Sequence, residues 1–372
     1  MKLRYYIIRR LLLLIPVVLG VTIIAFVLTN SVGDPCAVYV TERMNERQRA
    51  QVCYVHGFTV APTVGAPYRP LWERYGYYLN DLIHGDLGYS KSDNRNVTES
   101  IAARLPATIE LLIPALIIAV LVGIPLGITS AVNRNKPIDH ATRVLALSGV
   151  ALPIFWLGLM LQLLISGHEG LLVPYIGLPD PTNPSRRVGL PIASRYDESN
   201  SGSTWDLVEN PNTFHTGIYS LDAIIHLNGA AFMDAVAHLI LPVTCLTYTN
   251  LALITRIMRS SMLENLNLEY IKAARAKGLP ESIIIHKHAK RNALIPITTV
   301  VGLSIGGLLG GAVLTESVFS WPGLGRWATA AITSSDHASI TSFVLLTSLA
   351  YVIANLIVDI TYAYLDPRIR LG

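Results

Sequence analysis

The sequence predicts an all-α integral membrane protein with six transmembrane helices. Both termini lie on the inner face (N-in/C-in), with two long outer loops and one long cytoplasmic loop. Three observations predict this. The composition is 51% apolar and only 15% charged, where soluble domains carry about 25% charged residues. Six runs free of Asp, Glu, Lys and Arg are long enough to span a bilayer, which takes about 20 apolar residues as a helix. The basic residues are also unevenly shared between the segments that join those runs. High apolar content with low charge excludes disorder, and six such runs argue against an ordinary soluble enzyme.

The first run, Leu11–Thr29, follows Lys2, Arg4, Arg9 and Arg10. It is long for the apolar part of a signal peptide. Its exit, Thr29-Asn30-Ser31-Val32-Gly33-Asp34-Pro35, offers no small-x-small cleavage site. It reads as a retained helix, so residues 1–30 form the inner N-terminus and first crossing. Residues 31–106 form an outer loop rich in turn formers. Within it, Leu71, Tyr75, Tyr78, Leu79 and Leu82 recur at helical spacing and cover a small outer core or lie on the membrane surface. Val97, Ile101 and Leu105 read as a short interfacial elbow helix ahead of Pro106. Cys36 and Cys53 share this loop, and an outer compartment permits disulfides. A bridge closing a loop of that size stabilises by about 3 kcal/mol; the alternative is two separately buried thiols. Asn96-Val97-Thr98 forms a glycosylation sequon.

Residues 107–365 form the core of five further crossings. Their runs are Leu111–Val132, Val144–Gly167, Ala235–Thr255, Ala293–Thr315 and Ser339–Val358. Residues 168–234 read as an irregular outer cap, 256–292 as the inner loop and 366–372 as a cytoplasmic tail. With the N-terminus inside, the inner segments hold 17 Lys and Arg against 5 Asp and Glu, leaving out Asp359 at a helix boundary. The outer segments hold 12 against 16 before Glu316 and Asp336 are added. The net charge of +4 is thus a topology signal, not a nucleic-acid footprint.

Catalytic signatures are missing. No phosphate-binding loop, His-Glu-x-x-His zinc motif or Gly-x-Ser-x-Gly elbow is present. Gly302, Gly306, Gly307, Gly310 and Gly311 lie inside the fifth run, where small residues let membrane helices approach closely. Glu110 and Asp359 sit at span ends, so no acid occupies a midplane as a proton relay requires. Cys245 reads as a small packing residue.

The inner loop is the most patterned segment. Glu269-Tyr270-Ile271-Lys272-Ala273-Ala274-Arg275-Ala276-Lys277 favours helix, and Gly278 and Pro280 stop it. A second helical piece, Glu281–Lys290, returns to the membrane. Such a helix–stop–helix suits docking. Ala273 and Ala274 keep one patch small enough for a partner groove, and Tyr270 and Lys277 anchor its ends.

These residues resemble the cytoplasmic loop of binding-protein-dependent ABC importer permeases of the dipeptide/oligopeptide/nickel branch, in particular the first (B-type) of that branch's two permease subunits. The resemblance extends over almost the whole chain. It includes Tyr5-x-x-x-Arg9-Arg10-Leu11 with Ile15-Pro16, then Gly33-Asp34-Pro35, Gly85-Asp86-Leu87-Gly88 and Leu105-Pro106-Ala107-Thr108. It continues through Pro153-x-Phe155-Trp156-Leu157-Gly158, Glu269–Gly278 and His288-Ala289-x-Arg291-Asn292-Ala293-Leu294-Ile295-Pro296. It ends with Glu316-Ser317-Val318-Phe319-Ser320-Trp321-Pro322-Gly323-Leu324-Gly325 and Leu365-Asp366-Pro367-Arg368-Ile369-Arg370. Two departures stand out. Lys272 occupies the Glu position of the general Glu-Ala-Ala-x-x-x-Gly signature, and the outer loops around Cys36–Pro70 and Arg186–His226 are longer than usual.

The resemblance implies half of a heterodimeric pore in the cell membrane, completed by a second, homologous permease. Two partner ATPase subunits would bind ATP and Mg, this chain holding no cofactor of its own. An extracytoplasmic binding protein would deliver peptides, with oligosaccharides or nickel as alternatives. Glu269, Tyr270, Ala273, Ala274, Arg275 and Gly278 are the expected ATPase-coupling contacts. Thr247, Thr249, Asn250, Thr298, Thr299 and Ser304 offer an uncharged pore lining, against the plainer reading of helix–helix hydrogen bonds. A stand-alone secondary carrier is the more distant alternative; it calls for intramembrane charges or repeats.

Overall fold

The computed structural model describes residues 3–31, 34–41, 43–165, 171–173, 178–179, 187–196 and 214–365. The tail expected at 366–372 and much of the cap expected at 168–234 lie outside the described residues. The chain begins with helix α1 (Leu3–Ser31), followed by a 3₁₀ turn at Pro35–Val38 and helices α2 (Glu46–Val55) and α3 (Leu71–Ile83). Strands β1 (Tyr89–Ser90) and β2 (Arg95–Asn96) pair antiparallel, with Tyr89 opposite Asn96. Helices α4 (Val97–Val132), α5 (Pro137–Ala151) and α6 (Ile154–Ile165) come next. A second two-residue pairing joins β3 (Leu178–Pro179) to β4 (Arg187–Val188). The chain then forms α7 (Tyr219–Ile225), α8 (Gly229–Leu266), α9 (Glu269–Ala276) and α10 (Glu281–Ile283). A π-helical turn over Ile284–Ala289 leads into α11 (Lys290–Val318), followed by α12 (Leu324–Thr333) and α13 (His337–Leu365).

Among the described residues, three helices are long and apolar enough to cross a membrane: α4, α8 and the His337–Val358 part of α13. The third expected run, Val144–Gly167, is not one straight helix. It breaks between α5 and α6, whose axes diverge by 109°, and counts as a fourth span only as a bent pair. Pro153 follows the break; its ring disfavours helical backbone at the preceding residue, and Leu152 is extended, with φ −80° and ψ 127°.

The helix expected at Val97–Leu105 is present, but it is not a separate elbow. Helix α4 continues unbroken through Pro106, Pro114 and Pro125, tolerated because neighbouring groups can meet freed backbone in membrane helices. Val97 is buried in a small cluster with Leu324, Trp327 and Ala338, and Ile101 and Leu105 pack against it. The apolar stripe is therefore core, not membrane surface.

Helix α8 is the central rod, lying against α4, α5 and α11. Its approach to α4 is close: a Cβ on Gly127 would sit 2.6 Å from Met258 Cβ and 2.8 Å from Thr255 O. The glycines of α11 serve the same purpose. A Cβ on Gly302 would meet Val358 at 1.6 Å, and one on Gly306 would meet Tyr351 at 1.9 Å. Gly307, Gly310 and Gly311 lie outside the residues whose surroundings are described.

The stripe on α3 packs against α1. Tyr75 shares a 2.9 Å hydrogen bond with Thr22, and the Phe26 ring lies 5.3 Å from Tyr75 and 5.7 Å from Tyr78. Cys36 and Cys53 form a disulfide with Cα atoms 5.6 Å apart, buried beside Phe58. Asp34 beside it accepts from Cys36 N–H, from the Tyr68 hydroxyl at 2.7 Å and from Arg49. Burial pushes the Asp34 carboxyl up, but these hydrogen bonds outweigh it and hold the carboxyl below its ordinary range.

Candidate functional site: the loop between α8 and α11

Helix α9 forms because Glu269 in its first turn and Arg275 in its last complement the helix dipole, and because three alanines favour helix. It ends at Gly278, whose φ of +73° is a left-handed conformation that glycine adopts without strain. Lys277 N–H donates to Ala273 O at 3.1 Å, Gly278 N–H to Arg275 O at 2.9 Å and Leu279 N–H to Ala274 O at 3.3 Å. These bonds occupy carbonyls that the helix end would leave open.

The helix is rooted on one face. Ile271 is fully buried and Ala274 is 8% exposed, in one cluster with Met258, Met262, Ile284, Ala289 and Ala293. Glu269, Tyr270, Lys272, Ala273, Arg275, Ala276 and Gly278 are exposed. Ala274, expected in the contact patch with Ala273, therefore faces its own chain, as residues three apart to Ile271 must.

Tyr270 closes the base of the loop. Its hydroxyl donates to Asn265 Oδ1 at 3.1 Å and accepts from Asn292 Nδ2 at 3.0 Å, joining the end of α8 to the start of α11. Arg275 reaches the next helical piece in a two-pronged pair with Glu281, at 3.1 and 2.6 Å. This bond raises the Arg275 pKa and lowers that of Glu281. Lys272 pairs with Glu269 at 2.8 Å across one turn. Both pairs are solvent-facing, where such contacts contribute about 0–1 kcal/mol each.

Beneath the loop lies an ionic tie that sequence reasoning missed. Asp139, at the start of α5 and fully buried, accepts from Arg259 Nε at 2.7 Å and Nη2 at 3.0 Å. It also accepts from Ser130 Oγ at 2.6 Å and Asn135 N–H at 2.9 Å. The Arg259 hydrogen bond is the main reason its carboxyl is held far below the usual range. The tie clamps the root of the loop to the α4–α5 turn.

Two further groupings lie at the opposite end. Glu110, which sequence places at a span end, is buried and pairs with Arg195; it also accepts from Ser220 N–H at 2.7 Å. Glu316 accepts from the Thr108 hydroxyl at 2.7 Å and from Arg326 N–H at 3.0 Å. Thr108 in turn accepts from Leu324 N–H at 2.8 Å, and the Trp321 indole donates to Ala107 O at 2.9 Å. Two motifs about 210 residues apart, Leu105–Thr108 and Glu316–Gly325, are thus one interlocked unit.

The polar pore candidates divide between two helices. Thr247 is buried on α8 and donates to Ala115 O of α4 at 3.3 Å. Thr249 and Asn250 donate to Leu246 O of their own helix. Thr298 donates to Ile295 O, Ser304 is buried, and Thr299 is half-buried, all on α11. Among the described residues, no group of three or more His, Cys, Asp or Glu could hold a metal ion.

Comparison with known proteins assigns the family. Residues 123–371 match the family model for the binding-protein-dependent transport system inner membrane component. The chain is 40% identical to the probable D,D-dipeptide transport system permease protein DdpB of Escherichia coli, over 96% of this chain and 95% of that one. It is 39% identical to the dipeptide transport system permease protein DppB of the same organism, over 98% of both. It is 40% identical to DppB of Alkalihalophilus pseudofirmus, over 98% of this chain and 99% of that one. With the family matched over most of its length, the chain belongs to the inner-membrane components of binding-protein-dependent transport systems and is a multi-pass transport permease of the cell membrane, not an enzyme.

Proposed function

We propose that the chain is the B-type permease subunit of an ATP-driven peptide importer, forming half of the pore with a second, homologous permease. Six helices cross the membrane with both termini inside, and 256–292 is the cytoplasmic coupling loop. The single observation that carries the reading is the posture of α9. One face is rooted in the chain's own core through Ile271 and Ala274, and the other presents Glu269, Lys272, Ala273 and Arg275 outward. A helix held this way moves with the ends of α8 and α11, so displacement of a partner gripping it reaches the crossings directly. Two separate ATPase subunits supply that displacement with bound ATP and Mg. Their nucleotide shifts the pore between inward- and outward-facing states through its differing affinity for the two.

The peptide cargo is favoured over oligosaccharide or nickel by the relatives, which are dipeptide permeases across the chain's full length. An extracytoplasmic binding protein provides selectivity, and the uncharged lining from Thr247, Asn250, Thr298, Thr299 and Ser304 lets varied peptides pass. Affinity purification of the tagged chain from its native membrane tests the reading. The expected result is stoichiometric recovery of two ATPase chains and a second permease, with peptide uptake in proteoliposomes requiring all of them. Uptake by this chain alone would favour a secondary carrier and overturn the proposal.

A further inference from the structure

A cavity of about 280 Å³ opens between α5 and α8 at the α9 end of the molecule, far more than the ~30 Å³ that one water occupies. Three arginines line it: Arg143 of α5, and Arg256 and Arg259 of α8. Asp139 is the one carboxylate bonded to any of them among the described residues, and it is already committed. Four donors from Arg259, Ser130 and Asn135 use its acceptor positions. Arg143 Nε is enclosed and lies 3.8 Å from Asp139 Oδ2, within ion-pair range but beyond hydrogen-bond reach, and has no hydrogen-bond partner among the described residues. Among the described residues, its Nη2 is hydrogen-bonded to the ring of His140 alone, at 2.8 Å. Arg256 is exposed and has no hydrogen bond or ion pair among the described residues. The site thus holds three cations around one carboxylate, with Arg143 at the edge of its ion-pair range and Arg256 outside it.

The wall beside these cations is apolar. Leu147 lines the cavity, and Val144, Leu147 and Val150 form an exposed stripe up α5 at a spacing of three residues. A fixed anion with a hydrocarbon chain rising from it matches both halves of this surface. Basic pockets between membrane helices near the inner surface hold anionic headgroups in this manner.

We propose that Arg143 and Arg256 bind the phosphate of an anionic phospholipid headgroup, with its acyl chain along Val144, Leu147 and Val150. The site adjoins the Asp139–Arg259 tie, so the lipid fastens the root of the coupling loop to the membrane surface. The proposal rests on the membrane reading above, and one arm of the test separates the two.

The test uses the detergent-purified full chain, in whatever assembly it is extracted in, and counts retained phosphatidylglycerol by native mass spectrometry. Replacing Arg143→Gln and Arg256→Gln together should weaken retention about 30-fold, as expected for two cation contacts of roughly tenfold or less each. Arg143→Lys with Arg256→Lys should recover most of it. Lys136→Gln with Lys287→Gln removes the same charge elsewhere on that side and should leave retention nearly unchanged. Equal retention by the glutamine pair, or an equal loss in the lysine control, overturns the proposal. Inorganic phosphate added to delipidated protein gives the second arm. Phosphate binding that depends on Arg143 and Arg256, without dependence of phosphatidylglycerol retention, assigns the site to a free anion and overturns the lipid. Lys272→Cys labelled by an impermeant maleimide tests orientation separately; labelling from outside refutes the topology whatever the lipid result.

Discussion

A Cβ on Gly323 would lie 2.2 Å from Glu316 Oε1 and 2.3 Å from its carboxyl carbon. The buried carboxylate occupies the space that any side chain at 323 requires. It can sit there because Thr108 and the first N–H groups of α12 surround it. The Glu316–Gly325 motif is therefore a packed latch onto α4, and its glycine is demanded by volume, since Gly323 has φ −94° and carries no backbone strain.

Gly323→Ala should push Glu316 off its donors. Overpacking a close-packed interior costs about 1–3 kcal/mol, and a displaced buried carboxylate adds to it. The expected outcome is a lower apparent melting temperature of the purified chain and poor accumulation in the membrane. An unchanged melting curve would refute the latch.

Gly278→Val acts differently. Space beyond Gly278 is open, so the whole penalty is conformational: a β-branched residue at φ +73° pays about 1–2 kcal/mol. Membrane insertion should be normal while ATP hydrolysis by the assembly no longer drives uptake. Lys272→Ala, which removes only an exposed pair with Glu269, should do much less. Normal uptake by the valine variant would sink the coupling assignment.

Asp139→Asn leaves Arg259 without its counter-charge. Breaking an enclosed ion pair of this kind costs about 3 kcal/mol. The wild-type carboxyl is depressed by Arg259, so its contribution is complete above the ordinary carboxylate pKa of about 3.9 and fades only as pH falls through the lower folded value. The melting difference between wild type and variant should hold steady from neutral pH down to about 5 and shrink only in strong acid. A difference that vanished on mild acidification would contradict this sign.

Reducing the Cys36–Cys53 bond, or replacing both residues with Ser, should release about 3 kcal/mol of local stabilisation. Because the bond sits in its own cluster with Phe58, the loss should appear as protease sensitivity within residues 34–70. The melting of the helical core should barely move.

What was legible in the sequence was whatever local chemistry decides. Glu269 through Gly278 carries its own start, composition and stop, so α9 and its left-handed cap were readable. Cys36 and Cys53 were readable from a shared loop. The glycines of α11 signalled close packing, and Val358 and Tyr351 supply the partner surface. The partnerships that depend on distant chain were not readable. Glu110 meets Arg195 across 85 residues, and Asp139 meets Arg259 across 120; no spacing rule links such positions. The break after α5 had a signal in Pro153, but proline is tolerated inside α4, α8 and α11. Only tertiary packing decides which proline ends a helix. Ala274 also misled: its small size suited a partner groove, whereas its phase relative to Ile271 assigns it inward.

The right-angled fold between α5 and α6 has a mechanical corollary. A strut bent past perpendicular halfway along has no common axis and buckles under an end load. If a partner drives the α9 platform as proposed, its thrust would pass up the two unbroken helices on either side, α8 and α11. The bent element, pinned at its foot by Asp139, would then serve as a fulcrum.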